Sequence, residues 1–271
     1  MTACDSHLLT KTCDAHLQKA APVRTRVATY VVKHQAKLAK KILSVFRQQA
    51  STCKALVRRM GKADLSEEDH TMIEDLLAQI EESGVGVAIV DELTPEIEKA
   101  FKDAGIYGVA QVGINGSAGK DITKQLDPLA AKYAEERGGE LIKDLADTTI
   151  EDLRSVLEQG VEDGLSTDEL ADQIDELGAF GEARADMIAR TELAMAHVEG
   201  NVEGWRQTGE VSGKRSILGD LHDKEDECDD CADAGVVDLE DEFIPGYDFP
   251  PYHPNCVCDI VPVLSNSEGE D

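Results

Sequence analysis

Cys228-Asp-Asp-Cys231, followed after a loop by Pro250-Pro-Tyr-His-Pro-Asn-Cys-Val-Cys258, puts four thiols and an imidazole within 31 residues. The whole chain of 271 residues has only seven cysteines, so this crowding is a local feature. Two close-spaced donor pairs joined by a loop suit a tetrahedral metal ion. A closed site needs four of the five donors Cys228, Cys231, His253, Cys256 and Cys258. Cys228 and Cys231 come first and Cys256 next, with His253 and Cys258 competing for the fourth place. A cysteine-rich set points to Zn2+ in a structural role. Reduced, unmetallated thiols are the competing reading. Pro250, Pro251 and Pro254 stiffen the segment before any metal arrives.

Outward from this stretch, Val211–Leu218 and Cys258–Leu264 read as strands, making 210–264 a small α+β lobe that a metal could staple. Upstream, the pattern from Leu126 to Trp205 is helical. Leu129, Tyr133, Leu141, Ile142 and Leu145 mark one apolar face, with a possible kink at Gly138-Gly139. Thr149 is expected to cap the next helix, with Leu153, Val156 and Leu157 inward. Ser166-Thr-Asp-Glu169 has capping-box spacing ahead of Leu170, Ile174 and Leu177. Residues 182–206 form a further helix carrying Arg190-Thr-Glu192. Arg190 and Glu192, two apart, point to different helix faces and are read as structural anchors for different neighbours.

Toward the N-terminus the composition changes. Residues 1–62 hold 13 Lys/Arg and 2 Asp/Glu, whereas the chain as a whole carries a net charge of −28. Pro22 and Gly61 bracket a Gly- and Pro-free run that reads as one amphipathic helix of ~57 Å. Val27, Val31, Leu38, Ile42, Val45, Gln49 and Leu56 form its stripe, and Lys33, Lys37, Lys40, Lys41, Arg47, Lys54, Arg58 and Arg59 decorate the rest. Such a run is either a basic arm for a polyanion or acidic protein surface, or a solvated helix face; a helix of this same chain could equally cover the stripe. Cys4, His7, Cys13 and His16 form two Cys-x-x-His pairs, a minor second metal hypothesis beside a simple helical duplication.

The middle of the chain is less legible. Ser66 and its following acids predict a helix with Ile73, Leu76, Leu77 and Ile80 inward. Val85–Val90 reads as a short strand or loop, and Thr94-Pro95 as the cap and first residue of a helix. Residues 105–120 are glycine-rich, but Ile114 and Asp121 break a phosphate-loop pattern, leaving a flexible connection or irregular strand. The sequence lacks an apolar run of membrane-spanning length and a secretory h-region. With no export signal and an odd number of cysteines, thiols are expected to be reduced and the Asn115 sequon unused. Asp220, His222, Asp223 and Glu240–Glu242 flank the cysteines, but acids are too abundant for proximity to imply catalysis. No catalytic or organic-cofactor residues are assigned.

The segment from about Leu126 to Leu264 resembles the phage Mu F-like and SPP1 gp7-like head morphogenesis proteins, minor capsid proteins of tailed phages. The resemblance rests on Ala134–Leu153, Gly164-Leu-Ser-Thr-Asp-Glu-Leu-Ala171 and Arg184-Ala-Asp-Met-Ile-Ala-Arg-Thr-Glu192. It continues through Ala196, Gly200 and Trp205 to Pro250-Pro-x-His-Pro-Asn-Cys-x-Cys258 and Val261-Pro-Val263. Many relatives carry Arg-x-x-His where Cys228-x-x-Cys231 stands here. The resemblance implies a virion protein at the portal vertex in the capsid interior, and in the host cytoplasm during assembly. It implies portal protein and major capsid or scaffold protein as partners, a role in procapsid assembly, and passage with DNA at ejection. Packaged double-stranded DNA would meet residues 1–62 nonspecifically. The alternative is a zinc-dependent enzyme, a nuclease or toxin-like effector delivered with the genome.

The expected fold class is mainly α with a small α+β C-terminal lobe. The expected organisation is a basic helical arm over 1–63, a helical and glycine-rich connection over 64–125, the head-morphogenesis domain over 126–264, and an acidic tail over 265–271.

Overall fold

A computed structural model describes residues 25–59, 70–84, 87–114, 116–220, 222 and 225–265. It is mostly helical, with one small sheet near the C-terminus, as the patterning predicts. The elements are α1 (Arg26–Arg59), α2 (His70–Glu82), α3 (Val87–Gln111), α4 (Gly116–Glu162), α5 (Thr167–Glu176), α6 (Glu182–Thr208), β1 (Val211–Ile217), α7 (Glu227–Asp233), β2 (Val236–Asp238) and β3 (Asp259–Leu264). Cys4, His7, Cys13, His16, Ser66 and residues 266–271 lie outside the described residues.

The chain divides into two compact units. The first comprises residues 1–35, 97–132 and 190–271; the second comprises 36–96 and 133–189. Helices α1, α3, α4 and α6 each contribute a part to both.

In the first unit, α3 and α6 meet through glycines. A Cβ on Gly200 would stand 2.0 Å from the Phe101 carbonyl oxygen, and one on Gly204 2.3 Å from that of Gly105. Gly108 reciprocates, since a Cβ there would meet the Asn201 carbonyl at 2.5 Å. Backbones this close exclude any side chain. The glycine-rich run from 105 is therefore largely helical, not a flexible link: it continues α3 to Gln111, turns at 112–114 and enters α4. Trp205, fully buried, seals the crossing, and its Nε1–H donates to Gln111 Oε1 at 3.0 Å.

The sheet completes this unit with strand order β2-β1-β3, all antiparallel. β1 and β3 fall where alternation predicts them; β2, three residues long, has no sequence signal of its own. Lys214 is 1% exposed on β1, its ammonium 5.4 Å from the Phe243 ring centre and 5.3 Å from that of Phe249. Those rings offset part of the cost of burying its charge.

In the second unit the 36–59 part of α1 buries Leu38, Ile42, Phe46, Ala50, Cys53 and Val57. The predicted stripe holds to Ile42 and again at Gln49, but at the other two positions it shifts by one residue: Phe46 and Val57 are inside, while Val45 and Leu56 are half-buried. The stripe is thus covered by this chain itself. Several α1 cations pair with acids of the same unit: Lys41 with Glu92 at 3.0 Å, Lys54 with Asp175 at 2.5 Å, and Arg58 with Asp168 at 3.1 Å.

Three boundaries differ from the sequence reading. α3 starts at Val87, and Thr94 Oγ1 donates back to the Val90 carbonyl at 2.8 Å instead of capping. α4 is one helix of 47 residues with Pro128 inside it, and Thr149 Oγ1 donates to the Leu145 carbonyl at 2.7 Å. Pro95 and Pro128 are both exposed, so water can take up the carbonyl released one turn earlier. The Ser166–Glu169 capping box forms as predicted, and Ile73, Leu76, Leu77 and Ile80 are all buried on α2.

Candidate metal centre

Helix α7 positions the first donor. Asp226 caps it: its Oδ1 accepts from the Cys228 N–H at 2.9 Å, while its own N–H donates to Asp229 Oδ2 at 3.1 Å. A capped start suits so short a helix with an acidic first turn. Cys228 and Cys231 are both buried on it, three residues apart.

The second set comes from a turn. The Cys256 N–H donates to the His253 carbonyl at 3.1 Å, with Pro254 and Asn255 between them. Asn255 has φ 68, so the Pro-Asn pair supplies the chemistry of a type II turn. Asparagine tolerates this left-handed conformation better than most residues. The Asn255 N–H donates to Thr191 Oγ1 at 3.1 Å, fastening the turn to α6. The residue of Arg190-Thr-Glu192 that touches this turn is therefore the middle one. Arg190 Nε donates to Gln35 Oε1 at 3.2 Å, and Glu192 is 4% exposed. The arginine that holds carbonyls is Arg184 of the second unit, donating to Ala179 O at 3.1 Å and to Thr149 Oγ1 at 3.1 Å.

Cys228, Cys256 and Cys258 pack together with Leu218 and Tyr252 against them. The Cys228 and Cys256 sulfurs are 3.6 Å apart. Two donor groups share Cys228: one adds His253 and Cys256, the other His222 and Cys258, with the donor atoms of each group within 4.8 Å of one another. Cys231 is in neither group; its thiol hydrogen-bonds Tyr252, and burial pushes it up to about 11. His222, noted in the sequence only as a neighbour, is drawn in by Asp229, whose Oδ2 lies 2.9 Å from its Nε2. That same oxygen takes the Asp226 N–H, so one carboxylate orients both the cap and the imidazole.

Packed thiols cannot all ionise together without a cation. Cys256 is held well below the usual thiol range, first by its hydrogen bonds with Cys228 and Cys258, and further by backbone N–H groups of Cys258 and Tyr252. Cys228 is pushed far up, first by its hydrogen bond with Cys256. Cys258 ends at about 12: contact with Cys228 pulls it down, but Cys256 and burial outweigh that. A divalent ion would reverse this order and hold all three as thiolates.

One buried polar atom tests the fit directly. His253 Nδ1 is 2.8 Å from the Pro254 carbonyl, which fixes its proton there. Its Nε2 is buried and has no hydrogen-bond partner. Asp226 Oδ2 stands 3.3 Å from it without making a hydrogen bond. A soft-donor cluster with a buried imidazole nitrogen that makes no hydrogen bond fits a zinc-type ion.

The N-terminus of α1 is seated beside this cluster. Thr25 Oγ1 donates to the Val257 carbonyl at 2.9 Å and accepts from the Ala28 N–H at 3.0 Å. Asp259 Oδ2 accepts from the N–H groups of Arg26 at 3.1 Å and Val27 at 3.2 Å. Three of the four donors that a helix start leaves open are thus met.

Comparison with known families matches residues 151–261 to the model described as Phage Mu protein F like protein. The chain is similar to that family over a stretch that runs from within α4 through the cysteine cluster into β3. The match begins later than the Leu126 expected from the motifs. Neither curated proteins nor solved structures gave a match.

Proposed function

We propose that this chain is a minor head protein of a tailed phage, associated with the portal vertex and assisting procapsid assembly. The carrying observation is the Mu F-like match over 151–261, which contains both the Arg184–Glu192 helix and the cysteine cluster. The partners in this reading are portal protein and major capsid or scaffold protein. The protein works in host cytoplasm during assembly and then in the capsid interior. Packaged DNA contacts cations of residues 1–62 through phosphates, and DNA delivery belongs to the same reading.

Within it, Cys228, Cys256, Cys258 and His253 hold one structural Zn2+. The ion supplies a crosslink between α7 and the 253–258 turn, stabilising a lobe whose loops bury few apolar side chains. Four protein donors leave no open position for substrate, which favours a staple over a zinc-dependent nuclease or toxin-like effector. Arg190 and Glu192 act as structural anchors of α6.

The test is co-purification of the tagged chain from infected or expressing cells. Portal and capsid proteins are expected to come down with it, and the chain to sediment with procapsids. Recovery of neither, with the chain absent from purified procapsids, would reject the reading.

A further inference from the structure

A hollow of about 350 Å³ opens among α1, α3 and α6 of the first unit. Its lining includes Arg26, Lys33, Lys99, Asp103, Tyr107 and His197. We propose that this hollow binds an oxyanion of the phosphate class. The inference goes beyond the head-protein reading and does not depend on it.

Charge is the first support. The chain carries a net charge of −28, yet three cations face one acid here. Lys99 is paired with Asp103; Arg26, whose charge also acts on the buried Asp259 outside the hollow, and Lys33 bring the remaining positive charge to the lining. The Arg26 guanidinium lies 4.4 Å from the centre of the Tyr107 ring. A guanidinium that contacts a ring face can still donate from its N–H groups. Those groups suit the two-pronged contact that phosphate oxygens accept.

The second support is independent of charge. His197 is 2% exposed, and its Nδ1 is buried with no hydrogen-bond partner. A buried polar atom left unpaired costs about 1–3 kcal/mol, so it normally has a partner. Burial, with Arg26 nearby, depresses His197 to about 4, keeping the ring neutral near pH 7. A neutral imidazole can donate from Nδ1 to an oxygen at the floor of the hollow.

The geometry selects the class of anion. Donors stand on three helices: Arg26 and Lys33 on α1, Tyr107 on α3, and His197 on α6. A planar carboxylate engages one such direction well, whereas a tetrahedral oxyanion presents oxygens to all three. The volume is at the lower end of ligand pockets, enough for a phosphomonoester. The source is either a free phosphorylated metabolite or a phosphate of a nucleic-acid strand.

The experiment follows the His197 ring resonances by NMR in the full-length protein during titration with inorganic phosphate, at constant ionic strength set with chloride. A saturable shift at millimolar phosphate is expected. Arg26→Gln and Lys33→Gln should each weaken it about tenfold, as removal of one charge-assisted hydrogen bond would. Both side chains sit on exposed positions, and circular dichroism checks that the helices persist. A parallel arm adds single- and double-stranded oligonucleotides: displacement of phosphate assigns the site to DNA, and its absence assigns it to a small ligand. No saturable shift with phosphate or oligonucleotide, or equal binding by parent and both variants, overturns the proposal.

Discussion

At the scale of single residues, the cysteines divide by what holds them. Cys228 belongs to both donor groups, while Cys231 is engaged by Tyr252. Cys228→Ser is therefore expected to lose zinc from reduced, purified protein, and Cys231→Ser to keep about one equivalent, as read by elemental analysis. Equal loss in both would refute the assigned donor set. Glu199 supplies a second residue-level expectation. Burial, followed by opposing effects of Arg206 and Glu203, raises its carboxyl from the usual range to about 7. The unfolded chain then releases this proton at lower pH than the folded protein does. Stability linked to Glu199 is thus complete below the ordinary carboxylate pKa and declines as pH rises to about 7. Glu199→Gln removes that decline. Urea unfolding should show the variant gaining about 1–3 kcal/mol on the parent between about pH 4.5 and pH 8. A gain that does not change with pH would contradict this origin.

At the scale of elements, the α3–α6 crossing depends on absent side chains. A methyl at 200 would overlap the Phe101 carbonyl at 2.0 Å, and backbone cannot swing aside as a flexible side chain can. Gly200→Ala should cost more than about 3 kcal/mol, lowering the thermal midpoint by about 10 °C or more or preventing soluble expression. Gly178→Ala, with nothing within 4 Å of the added methyl, is the matched control and should change little. This crossing also explains why the glycine-rich run does not look helical in sequence. Gly105 and Gly108 read as loop because glycine is a poor helix former in isolation. Their partners, Gly200 and Gly204 for Gly105 and Asn201 for Gly108, lie far away in sequence, and only that pairing repays the local preference. Thr94-Pro95 misleads similarly: a start signal is local, whereas the buried run Ile89, Val90, Leu93 and Ile97 extends the helix backward across it. Strands β1 and β3, the Ser166 box and the face of α2 are legible because pattern and packing agree there. For the candidate site, spacing identifies the cysteines and His253 as a neighbourhood. It does not separate Cys231 from the others or bring in His222, because both depend on side-chain partners, Tyr252 and Asp229, that spacing does not encode.

At the scale of the whole molecule, the charge split acquires a different meaning. The cations of α1 are partly engaged by acids of the chain itself, and its apolar stripe is buried. Removing residues 1–62 would therefore expose a core and would not cleanly test DNA binding. Lys40 and Arg59 are exposed on α1. Lys40→Glu with Arg59→Glu should leave folding intact and lower the slope of log affinity against log salt by roughly 0.9 for each phosphate no longer neutralised. An unchanged slope in filter binding or fluorescence anisotropy would place DNA binding elsewhere in 1–62 or remove it. The clasp of Thr25 and Asp259 has a consequence in time. The carbonyl that Thr25 engages lies 232 residues further on. A ribosome needs roughly 10–50 s to cover that distance. During that interval α1 has been translated but lacks its cap, its basic face already accompanied by neighbouring acids while its first turn waits. Translation that stalls before Asp259 would leave a chain whose earliest described helix frays at its beginning, a nascent species for chaperones to hold until the cysteine lobe arrives.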